Sequence, residues 1–191
     1  LLVQALAERF LPDQQKLFNN TLRLIKAAGG ELILTEPVLE EVQRHINASN
    51  HEFRNHYSDA EDAITPDTID IVDRPLIRAY FRGKFSGEKD RPKNWPQFVQ
   101  NYCDPRAIES DAAKDDLKKS LLAMFKMSFE SRKDVERACD GRDVEALAKR
   151  LEPYKKEKVL ARNDSLMAHL VYVRRNADRE GEDVSGYGLR T

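Results

Sequence analysis

The sequence predicts a helix-rich α/β fold: a parallel sheet flanked by helices, with a large helical insertion. Three observations point there. Residues 31–35 (Glu-Leu-Ile-Leu-Thr) have the continuous apolar centre of a strand buried in a parallel sheet. Residues 48–153 are mostly polar with helical spacing. After 153 the chain returns to a helix-then-strand pattern. The expected organisation is an α/β core from 1–49 and 154–191, with the insertion over 50–153. A chain of 191 residues is long enough to bury such a core without disulfide or metal staples.

Residues 1–10 are apolar and helix-favouring until Pro12 and Asp13 break the pattern, with Asp13 as an N-cap. The next helix is expected over 14–28, with Leu17, Thr21, Leu24, Ile25 and Ala28 on one face. Gly29 and Gly30 end it. After the 31–35 strand, Pro37 opens another helix, whose Val38, Val42 and Ile46 share a side. Within the insertion, residues 75–81 form an amphipathic stretch, and Gly83, Gly87, Pro92 and Pro96 punctuate a loop. A long helix is expected over 107–130, then shorter ones near 131–140 and 142–150. Asn163 caps a helix starting at Asp164 or Ser165, and Tyr187 begins a strand. The chain starts inside an apolar pattern and stops at the beginning of that strand. The expectation is therefore a fragment, truncated at both ends, with its first and last strands missing or incomplete.

Composition narrows the function classes. Lys plus Arg is 32 and Asp plus Glu is 33, for a net charge of -1, so a uniformly basic nucleic-acid coat is excluded while a local basic patch is not. Two cysteines, Cys103 and Cys139, exclude a disulfide-dense scaffold or a Cys-rich zinc module, and suggest a reducing, cytoplasmic setting. No apolar run approaches the ~20 residues of a membrane span, so no membrane partner is expected. A P-loop, a dinucleotide-binding glycine motif and a nucleophile elbow are all absent from the sequence.

Two segments carry the chemistry. One is Thr35-Glu36-Pro37-Val38-Leu39-Glu40-Glu41-Val42, directly after the strand. The other is Asn163-Asp164-Ser165-Leu166-Met167-Ala168-His169-Leu170. Each sets an acidic residue near the start of a helix that follows an extended segment. In parallel α/β sheets, sites form outside the carboxyl ends of the strands. Carboxylates converging there suit Mg²⁺ or Mn²⁺, which take oxygen ligands and keep several waters. The simpler account of either acid alone is a favourable meeting with the helix dipole, or, for Asp164, an N-cap or first-turn role.

These two segments, in this order and with the strand before the first, resemble the second and third acidic motifs of the PIN-domain family of metal-dependent nucleases. Glu41 matches the acidic residue of the second motif and Asp164 that of the third. Gly-Tyr-Gly-Leu-Arg-Thr at 186–191 is similar to the approach to the family's final strand. The resemblance covers roughly 1–49 and 154–191. It implies a PIN-like parallel sheet and hydrolysis of RNA, less often DNA, through Mg or Mn bound by three or four carboxylates, among them Glu41 and Asp164. The family's first acidic residue ends a strand that would lie upstream of Leu1. Glu40 is offset ~100° around the helix from Glu41, so only one of them points into a given site.

The remaining candidates are weaker. Between Arg74 and Lys93 seven basic residues stand against Glu88 and Asp90, with Tyr80, Phe81, Phe85 and Trp95 interleaved. Phosphate contacts and aromatic stacking make this the candidate nucleic-acid-binding element, through Arg78, Arg82, Lys84 and Arg91. The alternative is a solvated face with the aromatics in the core. His45, His51 and His56 lack the i, i+4 spacing of a helical zinc pair. The leading expectation is an endoribonuclease, a toxin or defence effector being one setting for it. The alternatives are a degenerate PIN-like module that binds protein or RNA without cleaving, with the insertion contacting a protein partner, or a helical regulatory protein.

Overall fold

The computed structural model describes residues 1–177. Helices dominate it, and its sheet is a single parallel pair of strands, which bears out the helix-rich α/β class. The strand expected at Tyr187 lies outside the described residues. No described helix is long and apolar enough to cross a membrane. The chain separates into two compact units, one from Leu1–Ala28 and Leu39–Met127, the other from Gly29–Val38 and the described part of Ser128–Thr191.

The first unit is helical. It holds α1 (Leu2–Ala7), α2 (Leu17–Ala27), most of α3 (Glu36–Glu52), α4 (Pro75–Phe85), α5 (Trp95–Gln100) and α6 (Asp111–Phe125). The residue-49 boundary expected from the sequence falls inside α3. Asp13 does not cap α2; it opens a 3-10 turn, Asp13–Gln15. The cap comes from Glu8, whose carboxylate accepts the N–H groups of Phe18 and Asn19, both at 2.9 Å. The inward face of α2 also differs from expectation. Leu17 and Leu24 are exposed and Leu22 is buried. The reason is Asn19, which donates to the Ala5 carbonyl at 2.7 Å. Asn19 and Leu22, three apart, share the docking face.

The core of this unit is aromatic. Phe53 and Trp95 stack with centroids 4.6 Å apart and planes 8° apart. Tyr80 meets both edge-on, at 5.4 and 5.6 Å. Phe81, Phe98 and Tyr102 complete the cluster. Gly83 lets α4 approach Phe10 closely: a Cβ there would stand 2.6 Å from the ring, which would have to shift. The helix expected over 107–130 stops at Phe125, because Lys126 takes a left-handed conformation (φ 52°) and its N–H returns to the Leu122 carbonyl. Glycine usually signals that cap; lysine gives no such signal.

The second unit contains the sheet. β1 (Ile33–Thr35) pairs in parallel with β2 (Ser128–Glu130), with Leu34 opposite Phe129. Three helices follow β2: α7 (Arg132–Ala138), α8 (Val144–Leu151) and α9 (Lys158–Ala177). Ser131 and Asp143 cap the first two through their side chains. Val135, Cys139, Leu166 and Leu170 form a small core, with Val144 and Met167 packed against it. Asn163 is not a cap. It lies inside α9, which begins five residues earlier at Lys158.

Candidate functional site

The carboxyl ends of β1 and β2 organise a polar cluster within the second unit. β1 ends at Thr35 and α3 begins at once with Glu36, followed by Pro37, whose missing N–H is no loss in a first turn. Beside it, β2 ends at Glu130, and Ser131 turns the chain into α7. The Glu36 carboxylate accepts the backbone N–H of Arg132 at 2.9 Å. The Arg132 guanidinium donates to Asn163 Oδ1 at 3.1 Å. The Thr35 hydroxyl donates to the Met167 sulfur at 3.2 Å. Thus the segment after β1 and the segment around Asp164 are joined through Arg132 at the end of the sheet.

Asn163 is buried, and its Nδ2 has no hydrogen-bond partner among the described residues. The buried Nε2 of His169, further along α9, has none either. Asp164 is half-exposed and forms an ion pair with Lys155. Glu130 pairs with Arg174, and Arg162 bridges Glu136 and Glu145, both at 3.0 Å.

The other sequence candidates lie in the first unit. Glu41 is exposed on α3, with His45 Nε2 3.8 Å from its carboxylate. Glu41 and Asp164 are oxygen donors within reach of solvent, the ligand chemistry that Mg²⁺ and Mn²⁺ take. Among the described residues, no group of three or more His, Cys, Asp and Glu gathers into a metal-holding set. That includes His45, His51 and His56.

Three of the four basic candidates are engaged. Arg78 donates to the Val72 carbonyl at 2.8 Å, Arg82 pairs with Asp70 at 2.8 Å, and Lys84 pairs with Glu61 at 2.8 Å. Arg91 is exposed. Of the interleaved aromatics, Tyr80, Phe81 and Trp95 are buried in the core, and Phe85 alone reaches the surface. The packed-core alternative therefore describes those three rings. Burial raises the Tyr80 phenol above its ordinary range, and the adjacent Glu61 carboxylate adds to the effect. Both cysteines are buried thiols: burial pushes Cys103 up to about 11 and raises Cys139 as well.

Sequence reasoning missed Glu36 and Arg132. Glu36 reads as an ordinary first-turn acid and Arg132 as the residue after a serine cap. Nothing local announces a bond across 96 positions. No family model matches the chain, and no curated protein or solved structure matches it either.

Proposed function

We propose that this chain is a PIN-like, metal-dependent endonuclease that cleaves RNA, with DNA as the less favoured substrate. The observation that carries the reading is the Glu36–Arg132–Asn163 link. It ties the two acidic segments together at the carboxyl ends of parallel strands, where α/β folds build their sites. Glu41 and Asp164 are each taken as an oxygen ligand for Mg or Mn. The ion, when bound, activates water and offsets charge developing on the phosphoryl oxygens. Lys155 neutralises Asp164 in this structure, so ammonium and cation compete for one carboxylate. Arg132 positions Asn163 and, through the helix, its neighbour Asp164. Arg78, Arg82, Lys84 and Arg91 guide the RNA, and a cytoplasmic location suits that substrate and the two free thiols.

The test is cleavage of labelled single-stranded RNA in Mn²⁺ by the parent chain, Glu41→Gln and Asp164→Asn. The expected loss in either variant is about a hundredfold or more, since even partners of metal ligands are worth ~10–100-fold. Equal cleavage by parent and both variants would overturn the assignment. A second reading, a degenerate module that binds RNA or a protein partner without cleaving, is favoured by the absence of a three-ligand group among the described residues. It predicts binding that is indifferent to metal and to both substitutions.

A further inference from the structure

A cleft lies wholly within the first unit, and its lining includes none of Glu41, Asp164, Arg78, Arg82, Lys84 and Arg91. It has a volume of about 600 Å³, within the ~300–1,000 Å³ range of ligand pockets. Its walls come from the end of α3, the turn that follows, the start of α5 and the 105–110 segment. The turn Phe53–Tyr57 is a π-helix, closed by the Ser58 N–H on the Phe53 carbonyl at 2.9 Å. Such turns recur at functional sites because they widen the helix and re-aim its side chains. Here the turn puts Phe53 inward, stacked on Trp95, while Arg54 is exposed and lines the cleft.

The cleft pairs an apolar floor with a rim of donors. Pro96, Pro105 and Ala107, lying over the buried Phe53, Trp95 and Ile108, supply the floor; His51, Arg54 and Arg106 supply the rim. Trp95 Nε1 donates to Asn50 Oδ1 at 2.9 Å. That bond leaves the Asn50 NH₂ as the end of the carboxamide available to a ligand. Glu109 is the one acid among the lining residues, and Asn47 donates to it. Arg106 leans on Asp104 at 3.1 Å, whereas Arg54 forms no ion pair among the described residues. A site with guanidinium and carboxamide donors above an apolar floor suits a group that is anionic at one end and flat at the other.

We propose that this cleft binds a nucleotide unit of single-stranded RNA, with Arg54 on the phosphate and the base over the apolar floor. The proposal deepens the nuclease reading and rests on it for the choice of RNA. Its test is kept separate from cleavage. Trp95 is the only tryptophan in the chain, so the emission comes from one residue that lines the cleft. The full chain is titrated with a short oligouridylate in EDTA, where metal-dependent cleavage is silent. The expected result is a saturable change in Trp95 emission, weakened about tenfold in Arg54→Gln and unchanged in Lys26→Gln, an exposed cation on α2. The salt dependence of binding falls by ~0.7 in log–log slope in Arg54→Gln, the signature of one lost phosphate contact on a single strand. Circular dichroism of Arg54→Gln matches the parent, because the side chain is exposed. No emission change, equal affinity in Arg54→Gln, or an equal response to an acidic peptide would overturn the proposal. Binding that behaves as expected, in a chain that never cleaves RNA, would keep the cleft and remove the nuclease.

Discussion

The two units hold together by different means. The first packs six- and five-membered rings against one another: Phe53, Tyr80, Phe81, Trp95, Phe98 and Tyr102 touch in a continuous cluster. Aromatic side chains bury large areas, and such pairs add ~0.5–1.5 kcal/mol beyond that burial. The second has a small apolar cluster around Val135, Cys139, Leu166 and Leu170, with ion pairs beside it: Arg162 to Glu136 and Glu145, Arg174 to Glu130, Lys155 to Asp164. Half-exposed bridges of this kind contribute little each and are screened by salt. The contrast teaches that the candidate acidic segment at 163–170 lies among ion pairs that salt screens, whereas the centre of the first unit is a set of buried rings.

The largest expected effect is Phe53→Ala. Removing a buried ring costs ~3–5 kcal/mol. Each unit carries one buried thiol, Cys103 in the first and Cys139 in the second, so alkylation under native conditions reads them separately. The substitution should speed labelling of Cys103 far more than that of Cys139. Equal acceleration of both would mean the two regions open as one, and the contrast would collapse.

Next is Glu8→Ala, which removes the acceptor for two N–H groups at the start of α2. Loss of a cap costs ~0.5–2 kcal/mol. Burial alone would raise the Glu8 pKa, but the Phe18 and Asn19 N–H groups and the Asn19 carboxamide outweigh it and hold the carboxyl below its ordinary value. A depressed folded-state pKa gives stability that is present above the unfolded value and lost as pH falls through the folded one. The parent and Glu8→Ala should therefore differ most near neutral pH, and converge as acid takes the carboxyl below the ordinary glutamate range of ~4.3. Urea unfolding at a series of pH values measures this; a constant gap would contradict it.

The smallest is Arg162→Gln in the second unit. Two half-exposed bridges at ~0.2–1 kcal/mol each are lost, and the difference from the parent should shrink in high salt. A loss that ignores salt would show that Arg162 acts through packing, which would bring the second unit closer to the first.

Much of this was legible from the sequence, and the failures share a cause. β1 and the start of α3 follow from Leu-Ile-Leu-Thr and from Pro37, both local signals. The helices expected near 131–140 and 142–150 also form, and the structure shows Ser131 and Asp143 capping them. β2 was not legible, because Ser-Phe-Glu is three residues long and exists through pairing with Leu34 and its neighbours. Asn163 looked like a cap because asparagine usually is one, yet its carbonyl oxygen serves Arg132 from inside a helix. Leu17 and Leu24 formed the better apolar stripe, but Asn19 chose the face by reaching Ala5 and Glu8. Of the candidate site, Glu41 and Asp164 came from motif order alone, while the Glu36–Arg132–Asn163 link could come only from the fold.

The register of the sheet also has a consequence for how the chain is made. Leu34 pairs with Phe129, about 95 positions later. On a ribosome adding ~5–20 residues per second, β1 emerges roughly 5–20 s before its partner exists. For that interval an apolar strand end waits unpaired while the aromatic unit on either side of it in sequence is completed. Residues 29–38 are thus the stretch of the nascent protein most in need of shelter, and slowing translation between 39 and 127 should cost soluble yield sooner than slowing it after 130.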